Sequence, residues 1–176
     1  ADALGDCVQS RNAQQKLRAC SEVIDKPAYK PEEKARAYRN RGALRVDAGA
    51  AGQAVADFTE ALRLQPNDAN SYAGRARARM AQGDIATAIA DYGEAIKLAP
   101  DSTSHLLGRG HAHFVRGNAQ AAIADFTEVL RINPKSATAY NQRGLAHRRS
   151  GDLARAVEDY TAAIGINPVY ALAYNN

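Results

Sequence analysis

The chain has 176 residues, 45% of them hydrophobic and 24% charged, and its 23 Lys and Arg against 19 Asp and Glu leave a net charge of +4. This length allows one ordinary domain or one short repeat array. The mild charge excludes a strongly charged disordered chain and does not indicate nucleic-acid binding. Because no run approaches about 18 consecutive apolar residues, we expect no membrane insertion. Aromatic residues are only 6% and alanine dominates the apolar fraction, which favours helices over strands.

Two cysteines, Cys7 and Cys20, lie near the start of the sequence, which contains no others. Two thiols without a C-x-x-C motif do not make a four-ligand zinc site, so we expect no metal. They are either two buried free thiols or a disulfide between two N-terminal helices, which would indicate an oxidising compartment. The start Ala-Asp-Ala is typical of a mature end left by signal-peptide removal. We expect a periplasmic or secreted protein, with the cytoplasm as the alternative.

A period of 34 residues runs through the rest of the sequence. The prolines and glycines in this register are Pro66, Pro100, Pro134 and Pro168, and Gly49, Gly83, Gly117 and Gly151. The aspartates and aromatic residues in it are Asp57, Asp91, Asp125 and Asp159, and Phe58, Tyr92, Phe126 and Tyr160. Several residue types that agree on one period indicate a repeat architecture.

Each 34-residue unit has the pattern of two helices. Side chains that cap a first helix precede an Ala-rich run in three units, as Asp68, Ser102 and Ser136. The glycine series follows where a left-handed residue ends a helix, and a second set of caps begins the next helix at Asp84, Asn118 and Asp152. The proline series then prevents the second helix from continuing.

This pattern resembles the tetratricopeptide repeat, a helix–turn–helix unit, and segments such as "YNQRGLAH" are most similar to its bacterial forms. The resemblance covers four full repeats, residues 35–68, 69–102, 103–136 and 137–170. It departs from the usual pattern at Leu106, where an aromatic residue is expected. The resemblance implies an all-α fold, a right-handed superhelical solenoid of antiparallel helix pairs. First helices would then line a concave face, with second helices mostly outside.

The two ends of the sequence are variations on the same pattern. The segment that begins at Cys20 resembles the one that begins at Phe58, so residues 1–30 are interpreted as a degenerate leading hairpin before the array at 31–170. This alignment places Cys20 opposite the helix that carries Cys7, and it therefore favours the disulfide. Residues 171–176 correspond to the start of a fifth repeat or a cap helix.

Catalytic motifs are absent from the sequence. It contains no G-x-S-x-G, no phosphate-binding G-x-x-x-x-G-K-[ST] and no H-E-x-x-H. His111 and His113 are two residues apart, which points them to opposite sides of a helix and disfavours a metal site. We therefore expect neither an enzyme nor a cofactor.

Charge is unevenly divided between the two helices of each repeat. The first helices of the four repeats carry twelve arginines and one acid, Asp47, whereas acids are concentrated in the second helices. Four arginines keep the register of the aspartates: Arg41, Arg75, Arg109 and Arg143. They could form a basic ligand-binding series, but the constant register favours ion pairs that join the helices of each repeat. The remaining arginines predict a basic groove that attracts an acidic ligand.

Groove-facing residues that differ between repeats are the candidate binding residues. We expect charge from Arg36, Arg39, Arg77 and Arg149, hydrogen bonds from Asn40, Asn70, His111, Asn141 and Gln142, and apolar contact from Leu107 and Phe114. Gly74 and Gly108 either open a hollow for a peptide backbone or are merely tolerated within their helices. The groove has no series of aromatic residues for stacking bases, so we expect no nucleic acid.

The predicted function is non-catalytic binding of an acidic peptide or protein segment in the basic groove. The first alternative is self-assembly, in which the last repeat stacks on another copy. The second is a role as an accessory subunit of a cell-envelope complex.

Overall fold

The computed structural model describes residues 2–168, which contain ten α-helices and no strand. The all-α prediction is therefore confirmed over these residues. The chain divides into two compact units, Ala1–Ala99 and Pro100–Asn176. The predicted start of a fifth repeat, residues 171–176, lies outside the described residues.

The first unit contains six helices. They are α1 Ala3–Gln9, α2 Ala13–Asp25, α3 Pro31–Asp47, α4 Ala51–Leu64, α5 Ala69–Ala81 and α6 Ile85–Leu98. Consecutive helices pack on one another, and α5 also contacts α3. The helix α3 begins before the predicted repeat boundary at residue 35, because Pro31 suits the first helical position and the Glu33 carboxylate accepts a 2.7 Å hydrogen bond from the Lys30 backbone N–H.

The second unit contains four described helices. They are α7 Thr103–Arg116, α8 Ala119–Ile132, α9 Ala137–Arg149 and α10 Leu153–Ile166. Here α7 packs on α8, α8 on α9 and α9 on α10, and α7 also contacts α9. None of the helices that the structure describes is long and apolar enough to cross a membrane.

Most of the predicted helix ends are confirmed. Backbone N–H groups donate to the side chains of Asp68, Asp84, Asn118, Ser136 and Asp152 at the starts of their helices. The four glycines of the register have φ between 75° and 91°, the left-handed region that favours glycine. Ser102 precedes α7 as predicted, but its hydroxyl lies 3.0 Å from the Ser104 hydroxyl and caps no helical N–H.

Close packing of glycine against aromatic rings is part of the core of each unit. A Cβ atom at Gly74 would lie 2.3 Å from the Cε1 atom of Phe58, and one at Gly110 would lie 2.6 Å from that of Phe126. Both rings are at most 2% exposed. The hypothesis of a ligand hollow at Gly74 is therefore wrong, because the ring of Phe58 fills the space that the missing side chain leaves.

A disulfide joins α1 to α2. The Sγ atoms of Cys7 and Cys20 are bonded at 2.10 Å, and both residues are fully buried among Val23, Ile24 and Ala37. The predicted pairing is present in this structure, and it joins the two helices of the leading hairpin covalently.

Candidate functional site

The Arg–Asp series joins the two helices of each pair, as the constant register indicates. Arg41 donates from Nε and Nη2 to the Asp57 carboxylate at 3.0 and 2.8 Å. The same two-point contact recurs in the pairs Arg75–Asp91, Arg109–Asp125 and Arg143–Asp159. These four aspartates are buried, and the arginines supply the opposite charge that a buried carboxylate needs. The four arginines are therefore structural residues.

A second arginine reaches the same carboxylate in the first unit. Arg45 donates to Asp57 at 2.8 Å, and Arg79 donates to Asp91 at 2.7 Å. These contacts were not predicted from the sequence. Arg45 and Arg79 are 34 residues apart, as Asp57 and Asp91 are, and this shared step indicates a pairing. The corresponding residues of the second unit are histidines: His147 Nε2 lies 3.9 Å from Asp159, and burial lowers the pKa of His113.

Three members of the series also join their pair to the helix before it. The Nη1 atoms of Arg41, Arg75 and Arg143 donate to hydroxyls of the preceding second helices at 3.0, 3.3 and 3.2 Å. The acceptors are Ser21, Thr59 and Thr127. Each of these guanidinium groups also lies over a tyrosine three residues earlier in its own helix. These arginines are therefore structural groups that bridge three helices.

Ion pairing reduces the positive charge that the first helices can offer to a ligand. Most of their arginines contact an acid of the chain. Among residues 2–168, the first-helix arginines without an acidic partner are Arg36, Arg116, Arg148 and Arg149. Three of these four belong to the second unit, so the unpaired charge is concentrated there.

Two candidate residues of the first unit are held within the fold. Arg39 donates to Asp68 at 2.9 Å, and Asn40 donates to the Cys7 carbonyl at 3.2 Å. Burial alone would raise the pKa of Asp68, but hydrogen bonds from Ser71 and Arg39 outweigh it, so the pKa is lowered. A ligand would have to displace these contacts to use either side chain.

The other first-unit candidates are exposed. Arg77 forms a 2.8 Å ion pair with Asp47, and both side chains are more than half exposed. Arg36 and Asn70 are also exposed. Because water screens it, the Arg77–Asp47 pair is weak and can exchange its acid for that of a ligand.

Six candidates of the second unit share one surface, which we call the α7/α9 face. Its residues are Leu107, His111, Phe114, Asn141, Gln142 and Arg149. On α7 the steps of four and three residues place its three members on one side, and on α9 the step of seven places Gln142 and Arg149 on one side. Arg149 joins the two helices, because its guanidinium carbon lies 5.1 Å from the ring centroid of Phe114 and its Nη1 atom donates to the Phe114 carbonyl at 2.8 Å.

Apolar and polar groups are both held in place on the α7/α9 face. Leu107 and Phe114 pack on the buried cluster of Ala122, Phe126 and Ala146, which leaves them half-buried. The Oδ1 atom of Asn141 is buried and has no hydrogen-bond donor within the described chain. Because this atom is buried, a ligand does not reach it while the Asn141 side chain keeps this position.

No metal site is present among residues 2–168, where no group of three or more His, Cys, Asp or Glu side chains is arranged to hold an ion. The cavity of about 320 Å³ in the second unit is lined by charged groups of the Arg143–Asp159 pair and by Arg155 and Glu158. These groups largely neutralise one another.

Comparisons with known proteins agree with this architecture. The sequence profile described as tetratricopeptide repeat matches residues 73–137 and 107–171. No curated protein sequence matches the chain.

Solved structures match over most of the chain. MamA 41-end from Desulfovibrio magneticus RS-1 is 17% identical with a TM-score of 0.82, over 94% of this chain and 92% of that one. Another MamA crystal structure is 21% identical with a TM-score of 0.80, over 90% and 91% of the two chains.

YrrB, described as a TPR protein with an unusual peptide-binding site, is 20% identical with a TM-score of 0.76, over 93% of this chain and 83% of its own. These likenesses confirm the fold class, an all-α helical-repeat solenoid, while its right-handed superhelical form stays a prediction. The matched profile covers more than half of the chain. The chain therefore belongs to the tetratricopeptide repeat family.

Proposed function

We propose that this chain is a non-catalytic protein-interaction scaffold that binds an extended acidic segment on the α7/α9 face. The observation that carries the proposal is the placement of Arg149, an exposed guanidinium that stacks on Phe114 and has no acidic partner among the described residues. Stacking and the bond to the Phe114 carbonyl restrict its side chain before a ligand arrives. Binding then costs less conformational entropy than it would with a freely rotating arginine.

The groups around Arg149 match the other parts of such a ligand. A carboxylate can accept from the N–H groups of Arg149 that do not reach Phe114. On α9, the half-buried Gln142 amide can donate to and accept from the backbone of the ligand. Leu107 and Phe114 offer apolar contact beside these polar groups. YrrB gives a precedent for peptide binding on this fold.

Arg149→Glu tests the proposal. We expect this variant to bind a fluorescein-labelled peptide of alternating Glu and Leu at least about tenfold more weakly than the unchanged chain, measured by fluorescence anisotropy at low salt. Affinity of the unchanged chain should fall as salt rises, because the contact is partly ionic.

The control is Arg131→Glu, which reverses an exposed charge on α8 in the same unit. Equal losses in the two variants would mean that only the net charge matters, and the proposed site would be wrong. Failure of the unchanged chain to prefer the acidic peptide over a Lys–Leu peptide would also contradict the proposal.

We propose an oxidising compartment, periplasmic or extracellular, as the site of action, and the Cys7–Cys20 disulfide supports this proposal. Protein taken from its native source and denatured without reductant should contain no titratable thiol, and reduction should release two. Two thiols before reduction would show that the pair is reduced in its native compartment.

A further inference from the structure

A mostly apolar cavity of about 280 Å³ lies in the first unit, between α2, the end of α3 and the start of α4. Leu17 and Leu44 supply its large apolar side chains, and Leu17 is 38% exposed. Every residue that lines the cavity falls between residues 13 and 53, so neither end of the chain contributes to it. Its volume is close to the lower limit for ligand pockets, about 300 Å³, and therefore suits a small molecule.

Two alanines account for the open space. Ala48 is one 34-residue period before Gln82, whose Nε2 atom would lie 3.5 Å from a Cβ atom at Gly52 in the next helix interface. A glutamine side chain therefore covers the start of α4 there, whereas the methyl group of Ala48 is too short to cover the start of α2. Ala50 is one period before Asp84 and likewise lacks a polar side chain. The cavity thus follows from two departures from the repeat sequence.

The charged residue that lines the cavity is Arg45, which belongs to a cluster with an excess of positive charge. Its Nη1 atom donates to Asp57 at 2.8 Å, and the same carboxylate accepts from Arg41 at 3.0 and 2.8 Å. Two guanidinium groups therefore share one carboxylate, which leaves one positive charge in excess. The contacts of Arg45 within the described chain use Nη1, so its Nε and Nη2 groups can donate to a ligand. Such a cavity favours an anion with an apolar body.

The start of α4 adds a second group that favours an anion. The other second helices with a capping side chain begin at a residue that accepts from the backbone N–H three residues later: Asp84, Asn118 and Asp152. The residue in this register at α4 is Ala50, and none of the described side chains caps the helix. The corresponding donor is the backbone N–H of Gln53, which also lines the cavity. A ligand carboxylate can therefore take the place of the missing aspartate.

We propose that this cavity binds a small carboxylic acid with an apolar ring or chain. The apolar part packs against Leu17 and Leu44, and the carboxylate accepts from Arg45 and from the Gln53 backbone N–H. The space beside Ale48 admits the ring. The cavity lies in the first unit and shares no residue with the α7/α9 face, so this inference does not depend on the proposed function.

The probe is 3-phenylpropionate, which joins one ring to one carboxylate. Titrated into the whole chain, it should cause saturable changes in the backbone amide chemical shifts of Leu17 and Gln53, with a dissociation constant of about 1 mM or less. The neutral amide of the probe should bind at least about tenfold more weakly, because it lacks the charge. Acetate, which has the carboxylate without the ring, should also bind at least about tenfold more weakly.

Four variants locate the binding. Ala48→Gln introduces the side chain that the next repeat has in this register, and it should weaken binding of the probe at least about tenfold. Ala50→Asp should also weaken binding but raise the urea midpoint, because its own carboxylate then caps α4. Arg45→Gln should remove the preference for the acid over the amide, which a purely structural role of Arg45 would not change. Arg63→Gln is the matched control: Arg63 is exposed on α4 outside the cavity, so the affinity should be unchanged.

Three results would overturn the inference. The first is the absence of saturable changes at Leu17 and Gln53, or equal affinity for the acid and its amide. The second is equal affinity for acetate and the probe, since the start of α4 alone would then hold the anion. The third is unchanged affinity in Ala48→Gln, or a dimer of the chain without probe, measured by light scattering, that Ala48→Gln dissociates, because a second copy would then fill the cavity.

Discussion

Asp57→Asn should lower the free energy of unfolding by about 3 kcal/mol. The Asp57 carboxylate is buried and accepts from both Arg41 and Arg45, so its neutralisation leaves two guanidinium groups without a counter-charge. The value is at the low end for a broken buried pair because the Arg45 side chain is 24% exposed and water solvates it in part. Urea denaturation followed by circular dichroism measures the loss.

Two further variants make this result specific. Asp47→Asn removes an acid whose side chain is 71% exposed, and we expect almost no change in the urea midpoint. Asp125→Asn should have a smaller effect than Asp57→Asn, since one arginine, Arg109, contacts Asp125. If Asp47→Asn were as destabilising as Asp57→Asn, the structural role of the buried pairs would be contradicted.

Gly74→Ala should destabilise the first unit, although alanine is the better helix former. In an exposed helix this change is stabilising by about 1 kcal/mol. Here the new Cβ atom would lie 2.3 Å from Phe58, and the ring is too well packed to move without strain. We expect a net loss of about 1–3 kcal/mol, typical of overpacking.

Gly93→Ala is the matched control for this prediction. Gly93 is also in the middle of a helix of the first unit, but a Cβ atom there meets no atom within 4 Å. The Gly93 variant should therefore be more stable than the unchanged chain by up to about 1 kcal/mol, so the two changes are expected to have opposite signs in urea denaturation. Stabilisation by both would show that Phe58 does not fill the space at Gly74.

The regular register made the repeat and its internal ion pairs predictable. The step of 34 residues between like residues is a one-dimensional signal, and the pairs Arg41–Asp57 and Arg75–Asp91 repeat with it. The leading disulfide was also predictable. The segment at Cys20 aligns with the segment at Phe58, a second helix that packs on the first helix of its own pair, and this alignment places Cys20 opposite the helix that carries Cys7.

Contacts that occur once were not predictable from the period. Asn40 was expected to face a ligand, but it donates to the carbonyl of Cys7, whose position depends on how α1 folds back on α3. Gly74 was ambiguous because a missing side chain is compatible with open space or with a close neighbour. Only coordinates reveal the ring of Phe58 beside it.

The charge of the predicted groove also depends on contacts that occur once in the chain. A count of arginines does not show which of them pair with acids elsewhere in the chain, as Arg39 pairs with Asp68 and Arg77 with Asp47. The structure concentrates the arginines without acidic partners in the second unit. The proposed binding surface is therefore smaller than the one that the sequence suggested, and it is centred on Arg149.

Backbone amide chemical shifts during titration with the acidic peptide test the central claim most directly, and a chain of 18.8 kDa is well suited to them. We predict that the largest changes fall on α7 between Leu107 and Phe114 and on α9 between Asn141 and Arg149. They should saturate with the affinity measured by anisotropy and vanish in Arg149→Glu. Saturating changes confined to α8 and α10, with α7 and α9 unaffected, would contradict the claim that the α7/α9 face is the binding surface.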